Sequence, residues 1–87
     1  MKNLLDNFRN QIDTIDEEII YLLSRRFELV KQIGILKKEH NIPALQPDRW
    51  NKLINNLFLE AESKGVNPEL VKNIWNEIHK ESLRLEK

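Results

Sequence analysis

The residues with the clearest chemical potential in this chain are basic side chains at helical spacing. Arg26 and Lys37 are eleven residues apart, within about 20° of three full helical turns, so in one helix they share a face. Two long side chains about 16 Å apart can converge on a small anion. Arg49 follows Pro47 and Asp48 at the start of another predicted helix, where the N-terminus itself favours anions. This pattern predicts an anion-binding site.

Two further groups could complete such a site. Ser82 and Glu86 are spaced i, i+4 and continue the apolar face of Trp75 and Ile78, or else they belong to a frayed, solvated last turn. Arg9 precedes Arg26 by 17 residues, about 25 Å along one helix, which is too far to hold the same small molecule. Arg9 is therefore either a solvated surface residue or part of a site on a second chain.

The same residues limit the chemistry. His40 and His79 have no partners at a convincing metal-ligand spacing, and no nucleophile is paired with a base. We predict a site that binds and orients a compact dianion, without a metal-ligand set or an activated nucleophile.

Composition excludes several classes of protein. The 87 residues suffice for one small domain, predicted to span residues 1–87. Fourteen basic and fourteen acidic residues balance, so neither nucleic acid nor an anionic membrane is an expected partner. The sequence has no cysteine, no membrane-spanning apolar run and no signal-peptide core, and we expect a cytoplasmic protein.

The elements that position these residues are all helical. One long helix is predicted from Asn3 to about His40, a second from about Pro47 or Asp48 to Lys64, and a third from Pro68 to the C-terminus. Gly65 is expected to end the second helix, and Asn67 to cap the third. The fold class is therefore all-α, with one long helix and two shorter ones.

The long helix carries a seam of apolar residues at steps of three and four, interrupted by Arg26. We define this apolar seam as Leu5, Phe8, Ile12, Ile15, Ile19, Leu22, Leu29, Ile33 and Leu36. A helix of about 57 Å cannot be enclosed in a compact globule of this length, whose radius of gyration is about 12 Å. The two shorter helices, laid end to end along it, would leave a thin core. We therefore expect an intertwined homodimer. Arg26 would fix register, pair with a carboxylate, or point into a polar pocket.

The order and spacing of these residues resemble the all-helical chorismate mutase family, whose bacterial members form an intertwined dimer. The resemblance covers the chain from about Leu5 to Glu86. It is carried by R-x-x-I-D-x-I-D, an L-L-x-x-R block ending at Arg26, I-G-x-x-K ending at Lys37, a twelve-residue step to Arg49, and "IHKESLRLE". It implies an isomerase that rearranges chorismate to prephenate in aromatic amino acid biosynthesis. The reaction is pericyclic and needs no cofactor.

Matching positions imply roles for individual residues. Arg26 and Arg49 would bind substrate carboxylates, with Ser82 near a carboxylate and Arg9 contributed by the other subunit. Lys37 would donate to the ether oxygen and a carboxylate. Glu86 stands where many bacterial members have glutamine, and a carboxyl group can donate to the ether oxygen only when protonated.

Two positions depart from the family pattern and leave the substrate open. Trp50 stands where the mutases usually have a glutamate that helps to hold the ring hydroxyl, and Gln46 replaces a frequent aspartate. Trp50 would either control selectivity for the ring substituent or pack beside Leu53 and Ile54. The alternatives to a chorismate mutase are an isochorismate pyruvate-lyase or a 4-amino-4-deoxychorismate mutase of the same fold, and a non-catalytic dimerisation or regulatory module.

Overall fold

A computed structural model describes residues 2–87 and shows three helices. Helix α1 spans Lys2–Glu39, α2 spans Pro47–Ser63 and α3 spans Pro68–Glu86. Residues 2–87 contain no strand. The all-α prediction is confirmed, and the predicted helix ends are correct to within one residue.

Helices α1 and α2 end in the same way, with a residue in the left-handed region. Asn41 has φ 57° and Gly65 has φ 70°. The amide that follows each turns back to a carbonyl five residues earlier: Ile42 N donates to Lys37 O at 2.8 Å, and Val66 N donates to Ala61 O at 2.9 Å. These are Schellman motifs, which satisfy the last free carbonyls of a helix.

The start of α3 is fixed by a side-chain cap. Asn67 Oδ1 accepts a hydrogen bond from the backbone N of Glu69 at 3.0 Å, and Pro68 occupies the first turn, where its missing N–H costs nothing. Helix α2 begins at Pro47 without a side-chain cap, because Gln46 precedes it and makes no such bond.

Helix α3 packs against both other helices and connects them. Helix α2 packs on α3 and not along α1, so only α3 covers the long helix. The two short helices therefore do not lie end to end along α1, because the turn at Gly65 folds α3 back between α1 and α2. The chain measures 59 × 24 × 15 Å with a radius of gyration of 16.7 Å, well above the value of about 12 Å for a compact chain of this length.

The apolar seam of α1 does not face α3. All nine of its residues are exposed, from 44% at Ile33 to 56% at Leu29. The surface of α1 that contacts α3 includes the buried Val30 and Gly34, with Arg26 and Lys37 half-buried on the same side. Arg26 therefore lies at the border between the exposed seam and the packed face, and one chain leaves most of its apolar surface uncovered.

No helix among the described residues is long and apolar enough to cross a membrane.

Candidate active site

A solvent-open cavity of about 270 Å³ lies where the C-terminal half of α1 meets α3 and the start of α2. It brings together seven of the eight predicted site residues, which are Arg26, Lys37, Gln46, Arg49, Trp50, Ser82 and Glu86. Apolar walls come from Val30, Ile33, Leu53 and Leu83, with Ala44 and His79 completing the lining. The volume is just below the usual range for ligand pockets, about 300–1,000 Å³, so the cavity suits a compact ligand.

Arg26 is held by Ser82. The Arg26 Nη1 donates to Ser82 Oγ at 3.0 Å, and that hydroxyl donates to the carbonyl of Ile78, one turn earlier in α3, at 2.8 Å. The buried Ser82 hydroxyl thus donates to a carbonyl of its own helix and accepts from the guanidinium of Arg26. This contact fixes the orientation of Arg26 and leaves most of its five N–H donors available.

The two arginines of the cavity lack counterions. In residues 2–87, neither Arg26 nor Arg49 has a carboxylate oxygen within 4.0 Å. Burial lowers the pKa of Arg26, and the nearby positive charge of Arg49 lowers it further. An arginine side chain stays charged even so, and the two cations repel each other until an anion binds between them.

Lys37 forms an ion pair with Glu86. Lys37 Nζ donates to Glu86 Oε1 at 2.9 Å and to the carbonyl of Ala44 at 2.8 Å, and the two charged side chains are only 17% and 8% exposed. An ammonium group has three N–H donors, so these two contacts leave one for a ligand. The loop after α1 and the end of α3 therefore position the lysine together.

Gly34 allows this ion pair to form. A Cβ at position 34 would lie 2.9 Å from the Cα of Glu86, closer than carbon atoms tolerate. The missing side chain lets the last turn of α3 lie directly on α1, one turn before Lys37. Any larger residue would push Glu86 away from the lysine.

Trp50 and His79 form one wall of the cavity. Their rings stack with centroids 4.0 Å apart and an interplanar angle of 19°. Burial lowers the pKa of His79; among nearby charges, Glu86 raises it while Arg26 and Lys37 lower it, and the net shift is downward. Since an unperturbed histidine titrates near pH 6.5, this imidazole is neutral at pH 7.

The remaining predicted residues lie further out. Gln46 is exposed at the mouth of the cavity, and Arg9 is exposed on the N-terminal half of α1, outside it. The sequence alone assigned no contact to Gly34 or to the Ala44 carbonyl, and it suggested His79 only as a metal ligand without partners. A signal for His79 existed, since it precedes Ser82 by three residues and Glu86 by seven and so shares their helix face.

The cavity is equipped for binding and orientation. Three cationic side chains and one carboxylate line it, which leaves a net charge of plus two. Within residues 2–87, no group of three or more His, Cys, Asp or Glu side chains could hold a metal ion. Such a site can hold a dianion and direct hydrogen-bond donors at it.

Comparison with known sequences places the chain in a family. Residues 8–87 match the family model described as chorismate mutase type II. The chain belongs to this family. The match includes all the residues of the cavity, and the resemblance inferred from the sequence is confirmed.

Curated relatives of this chorismate mutase family member are mostly longer proteins. It is 35% identical over 78 residues to the T-protein of Haemophilus influenzae, covering 90% of this chain and 21% of that protein. It is 40% identical over 86 residues to the bifunctional chorismate mutase/prephenate dehydratase of Aquifex aeolicus, covering 95% of this chain and 24% of that protein. A 4-amino-4-deoxychorismate mutase of Streptomyces pristinaespiralis is 28% identical over 82 residues, which cover 94% of this chain and 64% of that protein. The chain thus spans about a fifth to a quarter of the first two relatives.

Proposed function

We propose that this chain is an isomerase that rearranges chorismate to prephenate in aromatic amino acid biosynthesis. One observation carries the proposal: Arg26 and Arg49 face a common cavity without counterions, beside Lys37, which has one N–H donor to spare. Chorismate carries two carboxylates, and the cavity has a net charge of plus two. Family membership and the names of the long relatives support the same reaction.

The chemistry needs restraint and electrostatics rather than a nucleophile. In a pericyclic rearrangement, the ether C–O bond breaks as a new C–C bond forms in the same molecule. Holding the enolpyruvyl side chain over the ring removes the entropy cost of reaching the reactive geometry. Arg26, oriented by Ser82, would bind one carboxylate, and Arg49 would bind the other together with Arg9 of the partner subunit.

Charge separates across the breaking ether bond, and Lys37 and Glu86 would respond to it. The free N–H of Lys37 would donate to the ether oxygen as negative charge develops there, which stabilises the transition state more than the ground state. Glu86 accepts from Lys37 as a carboxylate, and it would donate to the same ether oxygen only in the protonated form.

The exposed apolar seam supports a second copy of the chain as the partner. Nine exposed apolar residues along one face of α1, interrupted only by Arg26, exceed what a monomer leaves scattered on its surface. Residues 2–22 of α1 are all exposed, so this part of the helix is available to contact a second subunit. We propose a homodimer in which Arg9 of each chain completes the site of the other.

Mixing the purified protein with chorismate tests the function. Chorismate absorbance in the ultraviolet should fall, and product analysis should identify prephenate. Salicylate formed from isochorismate would instead support a pyruvate-lyase, turnover of only the 4-amino substrate would support an aminodeoxychorismate mutase, and no turnover would support a non-catalytic module. The relatives named above do not favour the lyase or the module.

Replacing Glu86 by glutamine should raise activity if position 86 donates to the ether oxygen. Glutamine keeps a permanent N–H donor of similar shape, whereas the glutamate accepts from Lys37 and donates only when protonated. The measurement is kcat/KM for chorismate in the parent and in Glu86→Gln at neutral pH, with circular dichroism to show that the variant is folded. A folded variant with no gain in kcat/KM would remove Glu86 from the ether-oxygen role.

The single-domain assignment, the cytoplasmic location and the absence of nucleic-acid and membrane partners stay predictions from the sequence. The residue roles given above are likewise part of the proposal.

A further inference from the structure

The stacked pair of Trp50 and His79 separates two cavities. On one side lies the candidate active site, and on the other an open cavity of about 400 Å³ that the same two rings line together with Asn73, Asn76, Glu77 and Lys80. Each ring is only half-exposed. His79 therefore presents part of its imidazole to the active-site cavity while Trp50 holds the ring in place.

The two ring nitrogens of His79 have no hydrogen-bond partner among the described residues. Among the hydrogen bonds of residues 2–87, none involves the imidazole. On the active-site side, the charged groups near it are Arg26 and Lys37 from α1 and Glu86 from its own helix. Glu77 and Lys80 of α3 line the second cavity beside it, and α2 presents Trp50 and, across the first cavity, Arg49. A neutral imidazole in this position has one N–H donor and one acceptor nitrogen.

The substrate proposed above has one polar group that the cations do not use. Its two carboxylates suit the arginines, and its ether oxygen suits Lys37 and Glu86. The ring hydroxyl is neutral, and it both donates and accepts. Of the neutral groups around the cavity, Trp50 has only an N–H donor, and Ser82 already donates to the carbonyl of Ile78 and accepts from Arg26. The two remaining neutral side chains that can match a hydroxyl in both senses are His79 and Gln46.

We propose that His79 is a specificity-determining residue whose imidazole hydrogen-bonds the ring hydroxyl of the substrate, with Trp50 holding the imidazole in position. The half-buried His79 is favoured over Gln46, which is exposed at the mouth of the cavity. The inference rests on the proposed function and adds the group that selects a hydroxylated ring. A site that hydrogen-bonds a hydroxyl discriminates against an analogue lacking it, because its own polar group is then left unpaired.

The test compares two substrates in matched variants. One substrate is chorismate, and the other is the analogue in which hydrogen replaces the ring hydroxyl. His79→Phe retains an aromatic ring against Trp50 and removes both nitrogens. It should lower the ratio of kcat/KM for chorismate over the analogue by about five- to tenfold, the effect of one lost hydrogen bond. His79→Gln or His79→Asn, which return a donor and an acceptor, should restore the ratio.

Two controls separate specificity from packing. His40 is exposed at the end of α1, away from the cavity, so His40→Phe should leave the ratio unchanged. A role of His79 in packing alone would reduce kcat/KM for both substrates equally. His79→Leu provides a smaller side chain if the phenylalanine variant loses its helical circular dichroism, and it should lower the ratio in the same way.

The possible failures are distinguishable. If the parent protein does not convert chorismate to prephenate, the proposed function fails. If the parent converts chorismate and the ratio is unchanged in folded His79→Phe and His79→Leu variants, the assignment of His79 is wrong. A changed ratio in Gln46→Ala with none in the His79 variants would assign the hydroxyl contact to Gln46 and overturn the inference.

Discussion

Replacing Lys37 by alanine should lower kcat for chorismate by about 10²–10³, equivalent to about 3–4 kcal/mol of transition-state stabilisation. The lysine is almost enclosed, its position is fixed by Glu86 and the Ala44 carbonyl, and its remaining N–H is free for the ether oxygen. A donor held in this way needs no rearrangement when charge develops. Single-turnover or steady-state kinetics with prephenate detection measures the loss.

The same substitution also leaves Glu86 buried without its partner, which can destabilise the chain by several kcal/mol in its own right. Thermal unfolding separates the two effects. A Lys37→Ala, Glu86→Gln double variant should recover stability without recovering activity, because it removes the uncompensated charge but not the need for the donor. Lys31→Ala is the control, since Lys31 is more than half exposed on the same helix and pairs only with Glu28. A loss of less than tenfold in Lys37→Ala would refute the role.

The helix boundaries were predictable because short-range chemistry sets them. A residue in the left-handed region ends a helix whatever surrounds it, and glycine at position 65 adopts that conformation without steric cost. Asn67 and Pro68 start α3 through one side-chain hydrogen bond and one fixed dihedral angle. None of these signals depends on tertiary contacts.

The packing of the helices was harder to predict, because a periodic pattern identifies a face but not what covers it. The strongest apolar pattern of α1 is the seam, yet α3 packs on a weaker face that includes Val30 and Gly34. By helix propensity alone, a glycine at position 34 is unfavourable in the interior of α1. Its value appears only once α3 is in place, because the Cα of Glu86 occupies the space of the missing side chain.

The site was predictable to the extent that its residues lie on one helix. The shared face of Arg26 and Lys37 follows from helical geometry, and both line the cavity as expected. The contact of Trp50 with His79 joins residues 29 positions apart on different helices, so no local spacing reveals it. His79 was set aside because it lacked metal-binding partners, while its actual partner is an aromatic ring.

Mixing two inactive variants should restore activity if each site draws on both chains. Arg9 lies about 25 Å from Arg26 on the continuous helix α1 and does not line the cavity of its own chain. Arg9→Ala and Arg26→Ala homodimers should each lose most activity, because each lacks a cation at both sites. After subunit exchange in an equal mixture, half of the dimers are mixed, and each mixed dimer has one site with both arginines. Recovery should approach about a quarter of parental activity.

A second pairing of variants makes this result specific to shared sites. Arg26 and Lys37 line the cavity of a single chain, so Arg26→Ala mixed with Lys37→Ala leaves every site with one defect, and activity should stay low. Exchange itself is followed independently, by mass spectrometry of chains with different tags. Recovery in the control pair would mean that exchange repairs something other than a shared site. Proven exchange without recovery in the Arg9 pair would place Arg9 on the solvated surface, and the arginines and lysine of one chain would then have to hold the dianion alone.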